Sequence, residues 1–242
     1  TLFPDQDQLR LSPIRLAQHA MTAAPALRPW HRASALVVGG FVLLHLANHV
    51  ALLAGVQAHL RLMDALRLLY RQPLVEAVLL ACVAFQLGSG LWLVTAGWRQ
   101  RRGAVAWLQA GSGLVLVFFL LNHVGAVLYG RAALHLDTNI FFAAAGLHVP
   151  GWPWFFAPYY FLAVTALFAH LGCAWYWRHN ANPAPARATL GAITLAGAAL
   201  GAVLVAAMAG LLVPLEIPQR YLSKFLSATA GAWPHPFLTM ST

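Results

Sequence analysis

The residues with chemistry to offer are histidines set in apolar sequence. His45 and His49, with Asn48 between them, lie in the stretch Ala33 to Gly55, which holds no Asp, Glu, Lys or Arg. His123 lies in a second such stretch and His170 in a third. Ionisable side chains inside a membrane are costly and usually face a bundle interior, a cofactor or a partner. Neutral imidazole is a common choice where electron-transfer haem iron takes a side chain on each face of its flat macrocycle. Two of the stretches share a pattern. In Ala33-Ser34-Ala35-Leu36-Val37 the serine precedes His45 by eleven residues, and in Gly111-Ser112-Gly113-Leu114-Val115 it precedes His123 by eleven. Eleven residues make almost three helical turns, so serine and histidine share one face in both helices. The spacing predicts that these two helices hold a haem between them.

His45 and His49 stand one turn apart and compete for the role of ligand. Matching Asn48-His49-Val50 with Asn122-His123-Val124 would choose His49, on three residues. The serine pattern covers the whole span from Ser34 to His45 and selects His45. His45 and His123 are therefore the expected axial ligands, with His49 as a hydrogen-bonder behind them or a propionate contact. Gly39, Gly40, Gly111 and Gly113 would let the helices stand a ring's thickness apart, and Arg61, Arg67 and Arg131 could meet the propionates. Two other chemistries stay open. Three imidazoles, His45, His49 and His123, could bind copper or zinc, and an intramembrane histidine can simply hydrogen-bond across helices.

The elements that position these residues follow from composition. The chain is 60% hydrophobic and 9% charged over 242 residues, which points to an all-α, integral membrane bundle. Five spans are expected, at about 33–55, 73–97, 104–129, 154–177 and 189–213, making a membrane domain of 30–213. A surface lead, 1–29, precedes it and a tail, 214–242, follows. The connections 56–72 and 131–153 read as interfacial helices, the first from Leu60, Met63, Leu66, Leu69 and Tyr70 at helical spacing. Arg178 to Arg187 reads as a proline-rich turn, and the last span is rich in small residues that let helices approach. The net charge of +9 does not suggest nucleic acid, because the basic residues flank the spans. Nine of them (Arg10, Arg15, Arg28, Arg32, Arg99, Arg101, Arg102, Arg178, Arg187) fall on one side and six on the other, which puts the N-terminus in the cytoplasm and the C-terminus outside. Cys82 and Cys173 sit in different spans at different depths, so free thiols are expected.

Depth decides which histidines can meet. His123 lies eight residues before Arg131, roughly 12 Å from the outer end of its helix, and His45 and His49 bracket that level. His170 lies eight residues before Arg178, about 12 Å from the inner end, and is expected to stay apart from His123.

The order of spans resembles the five-helix cytochrome b anchor of succinate:quinone and fumarate reductases, in particular its single-chain, two-haem type. His31-Arg32-Ala33-Ser34 is similar to the start of that family's first helix, whose ligand comes late in the span, at His45. Trp107-Leu108-Gln109-Ala110, then Ser112-Gly113, resembles its third helix and implies His123; Pro158 followed by His170 and Gly172 resembles its fourth. The resemblance implies haem b, bound quinone, a bacterial cytoplasmic membrane, and iron–sulfur and flavoprotein partner subunits on the cytoplasmic side. Arg32, Ser34, Ser112 and His170 join the candidate cofactor contacts. The sequence departs from the family in its second span, where Gln86-Leu87-Gly88-Ser89-Gly90 stands in place of a histidine, and in Ala166-Leu167-Phe168-Ala169, which lacks an acidic residue. His170 is accordingly expected to carry no haem of its own, and to bond a neighbouring helix or border a quinone or lipid pocket near Ser89 and Gly90.

Three function classes remain at this point: an electron-transfer anchor, a stand-alone membrane metal or redox protein that also uses His135, Asp137 and His148, and a structural subunit that has lost its cofactor. With two cysteines the chain cannot ligate an iron–sulfur cluster through four thiolates, so substrate chemistry would belong to partners.

Overall fold

The computed structural model describes residues 13–230. Arg10 and the Trp233–Phe237 part of the tail lie outside the described residues. Those residues form helices α1 (Pro13–Ala51), α2 (Val56–Tyr70), α3 (Pro73–Ala96), α4 (Ala104–Ala132), α5 (Ile140–Ala144), α6 (Pro153–His179), α7 (Pro183–Met208) and α8 (Gln219–Ala230), with short 3-10 turns at Leu52–Ala54 and Ala145–Leu147. The fold is all-α. Five helical stretches are long and apolar enough to cross a membrane: Ala26–Ala54, Pro73–Ala96, Ala104–Ala132, Pro153–His179 and Pro183–Met208. Large apolar side chains such as Leu36, Leu74, Trp154 and Leu195 project from them largely exposed, as lipid-facing residues do.

Helix starts follow local chemistry. α3, α6 and α7 each open on a proline, which loses nothing there because the first N–H has no helical partner. This moves the last span. Arg178 to Arg187 is no turn throughout: Pro183 starts α7, Pro185 is tolerated in its first turn, and the helix stops at Met208 before Gly210, whose φ of 78° is left-handed. The lead, expected as a surface segment in part helical, is helical in its described part. From Pro13 onward it is continuous with the first span, and α1 at 39 residues is roughly 58 Å long, well beyond a bilayer core. Gly55, at φ 106°, ends the 3-10 turn and starts α2 in another direction.

The middle of the 131–153 connection packs onto the end of the bundle. Asn139 caps α5 by accepting from the N–H groups of Phe141 and Phe142, and Ile140, Ala144 and Leu147 enter a core with Leu52, Ala207, Met208 and Leu215. The apolar run Ile140 to Leu147 finds an apolar seat at the bundle end. α8 covers the same core with Tyr221, which is fully buried.

The helices pack in sequence, α1 on α3, α3 on α4, α4 on α6 and α6 on α7, the last pair most closely. Gly197 lies against Phe168, Gly201 against the Phe161 carbonyl and Gly172 against Leu190, so small residues do bring α6 and α7 together. The other half is looser. The most apolar windows of the first three spans are 11% buried, against 22% and 28% in α6 and α7.

Candidate functional site

α1 and α4 make little backbone contact, yet their histidines meet. The rings of His45 and His123 have centroids 6.0 Å apart. Two imidazoles bound to one metal through bonds of about 2 Å each, with half a ring on either side, stand roughly this far apart. Each ring is held by a phenylalanine one turn earlier: Phe41 stacks on His45 at 5.6 Å and Phe119 on His123 at 4.9 Å, both nearly parallel. The two helices thus present the same Phe-x-x-x-His unit, a sequence signal that the serine pattern overlooked. It supports His45 as the counterpart of His123, since the residue four before His49 is His45 itself. His49 meets His45 edge-on at 4.6 Å. It makes no hydrogen bond to support that ring, and its buried Nδ1 is without a partner. At Gly39, Gly40 and Gly111 an added Cβ would meet no atom within 4 Å, so the facing stretches of α1 and α4 are uncrowded.

Around this pair lies a polar collar. His59, from α2, donates from Nδ1 to the Asn48 carbonyl at 2.8 Å, and its Nε2 accepts from the Asn48 amide at 3.3 Å. Both ring nitrogens are used, so His59 is a clamp between α1 and α2 and not a ligand; burial holds its pKa below the ordinary histidine value. The buried side-chain atoms without a hydrogen-bond partner among the described residues are Asn48 Oδ1, His49 Nδ1 and Arg67 Nε, all at this end of the bundle. Buried polar atoms are nearly always paired, so such a group asks for an explanation.

The arginines proposed for propionates are partly committed. Arg67 reaches Asp137 at 2.6 Å and Asp64 at 3.3 Å, and Arg131 pairs with Glu76. Burial works against the charge on Arg67, but its hydrogen bonds to Asp137 outweigh this and raise its pKa. Burial likewise pushes Asp137 up, while Arg67 overrides it and holds the carboxyl below its usual range. Arg71 is less committed than Arg67 and Arg131, donating to Thr138 at 3.3 Å and standing 3.9 Å from Asp137; burial, then repulsion by Arg67, lowers its pKa. Arg61 is exposed. Tyr70 ties this collar to the histidines, meeting Phe41 edge-on at 5.3 Å.

The other candidates separate from this layer. Ser34 and Ser112 share a face with His45 and His123 but lie three turns away, in a second polar layer. There Ser34 accepts from Gln86 at 2.6 Å and donates to the Trp30 carbonyl, and Ser112 donates to the Gln109 carbonyl. His170 sits beside Ser112, with Nδ1 3.2 Å from the Gln109 carbonyl, so it does bond a neighbouring helix, α4. Arg32 is exposed. The second metal constellation does not assemble: His148 bonds the Met208 carbonyl, Asp137 holds Arg67, and His135 is exposed. Among the described residues no three of His, Cys, Asp and Glu converge as a set able to hold a bare metal ion. Cys82 and Cys173 are unbridged. Comparison with protein-family models, with curated proteins and with solved structures finds no match to this chain.

Proposed function

We propose that this multi-span membrane protein is a haem b-carrying anchor and electron-transfer subunit of the succinate:quinone or fumarate reductase kind. In this reading it lies in a bacterial cytoplasmic membrane and passes electrons between iron–sulfur and flavoprotein partners and quinone. The observation that carries the reading is the His45–His123 pair at 6.0 Å, from two helices with little backbone contact, beside the orphaned polar atoms of Asn48, His49 and Arg67. A donor set of two neutral imidazoles suits a metal that already has four equatorial ligands, where a bare ion would need more from the protein.

His45 and His123 would hold the haem iron, which when bound supplies one-electron redox chemistry. Phe41 and Phe119 keep the two imidazoles from rotating. Arg71 and Arg67, with its unpartnered Nε, would supply positive charge for propionates, and His49, edge-on to His45, would be a further contact. Lipid-facing apolar residues around the spans keep water from this layer.

A reduced-minus-oxidised spectrum of the purified protein, with metal analysis, tests the reading. A low-spin b-type spectrum with iron supports it. Copper or zinc without that spectrum would give the stand-alone metal protein instead, and neither metal nor spectrum the structural subunit.

A further inference from the structure

Each ring of the His45–His123 pair is backed twice. Phe41 lies against His45 with the two planes 17° apart, and Phe119 lies against His123 at 14°. A stacked phenylalanine holds an imidazole plane only if the phenylalanine is itself held by its surroundings. α1 and α4 make little backbone contact with each other, so that restraint must come from elsewhere. It comes from tyrosines on two further helices.

Tyr70, the last residue of α2, sets its ring at 82° to Phe41 with centroids 5.3 Å apart, an edge-to-face contact. Tyr159, near the start of α6, lies 4.9 Å from Phe119 at 39°. Its hydroxyl also donates to the Phe119 carbonyl at 3.2 Å. In α4 that carbonyl is the helical acceptor for the N–H of His123, four residues on. One side chain thus holds both the ring behind the ligand and the backbone that carries it. Tyr159 is itself wedged. Phe155 stacks on it at 5.4 Å, and Tyr160, beside it at 5.1 Å, donates to the Ala143 carbonyl of α5 at 2.9 Å.

The rings of Tyr70, Phe41, His45, His123, Phe119 and Tyr159 therefore form one unbroken row drawn from four helices, with no neighbouring centroids more than 6.0 Å apart. The order tyrosine, phenylalanine, histidine is repeated on both sides of the central gap. Filling a core requires no such order, and its repetition singles out the two imidazoles as the groups being held.

We propose that Tyr70 and Tyr159 are positioning residues for the two axial ligands, each fixing the plane of one imidazole through the phenylalanine stacked on it and so tuning the redox potential of the site. The proposal rests on the haem reading of the His45–His123 pair, whose planes stand 64° apart. The planes of axial imidazoles set how the iron d orbitals split, which is read in the low-spin g values, and groups behind a ligand tune its metal. Tyr159, acting through ring and hydroxyl, holds its ligand more firmly than Tyr70, which acts through its ring edge.

Low-temperature electron paramagnetic resonance and redox titration of the purified full chain separate positioning from stability, because both report the geometry of the haem that is bound and not its yield. Tyr70→Leu and Tyr159→Leu keep apolar bulk without the flat ring. Both should broaden and shift the low-spin g values and move the midpoint potential, Tyr159→Leu the more. Tyr70→Phe keeps the ring contact and should match wild type. Tyr159→Phe loses the bond to the Phe119 carbonyl and should fall between wild type and Tyr159→Leu. Gly197→Ala disturbs the contact of α6 with α7 and should lower the melting temperature with g values and potential in place. Wild-type g values and potential in the leucine variants overturn the proposal, and so does an equal shift in Gly197→Ala. Where a leucine variant binds no haem the phenylalanine variants decide: a wild-type signal in Tyr159→Phe, or a displaced one in Tyr70→Phe, overturns it. No low-spin haem in wild type, or one that survives loss of His45 and His123, overturns the reading on which it rests.

Discussion

His45 and His49 are one turn apart, and a one-turn error would displace a ligand by 5.4 Å. The stacking of Phe41 on His45 and of Phe119 on His123 makes the choice physical: of His45, His49 and His123, these two rings are backed alike by a phenylalanine one turn earlier. We expect His45→Ala and His123→Ala each to remove one low-spin component from the spectrum, and His49→Ala only to shift it. Loss of that component in His49→Ala alone would place the ligand one turn along. His59 gives a contrasting case, because it fills its hydrogen bonds within the protein. His59→Ala strands the buried Asn48 amide and should cost about 1–3 kcal/mol in a thermal melt in detergent, while the haem spectrum keeps its shape. Asp137 contributes with a pH sign. Its folded pKa is depressed, so the unfolded chain takes up the proton first. The stability it adds is complete above about pH 4 and is lost as pH falls through the folded value. Asp137 is partly solvated, so Asp137→Asn should cost less than about 1 kcal/mol at neutral pH and flatten that acid slope.

The elements differ in how tightly they are held. α6 and α7 touch through glycine, and a Cβ on Gly197 would collide with Phe168, which sits on a helix backbone that cannot swing away. Gly197→Ala should destabilise by about 1–3 kcal/mol, seen as a lower melting temperature in detergent. The matching change at Gly111, where nothing lies within 4 Å, should leave the melt of cofactor-free protein unchanged. A fall at Gly111 equal to that at Gly197 would show that α1 and α4 pack far more closely than their backbones do here. α5 belongs to the tight half, since its capping by Asn139 lets a five-residue helix close the bundle end.

At the scale of the molecule, the described residues hold five candidate spans, and an odd number of crossings would set the two flanking segments on opposite faces of a membrane. The basic loop Arg99–Arg102 joins the second span to the third, and short, dense positive loops stay in the cytoplasm. Reporter fusions after Arg102 and after Thr242 should therefore give opposite sidedness, the first cytoplasmic. The same sidedness at both sites would remove the five-span topology. The His45–His123 layer and the layer of Ser112 and His170 are separated along α4 by eleven residues.

Composition and hydropathy alone determined the class, the number of spans and most of their limits, because a helix must run apolar for about twenty residues to cross lipid. The depth of His45 and His123 was also legible, since rise per residue is constant in a helix. What α4 and α6 bring together was not. Ser112 and His170 are linked by no spacing in the chain, and only the packing of α4 on α6 makes them neighbours. The same holds for the Arg67–Asp137 and Arg131–Glu76 pairs, which occupy arginines that looked free. The buried seat of residues 140–147 is another such decision. Half-apolar sequence does not say what it packs against, and the core of Leu52, Ala207, Met208 and Leu215 supplies the apolar contact that water cannot.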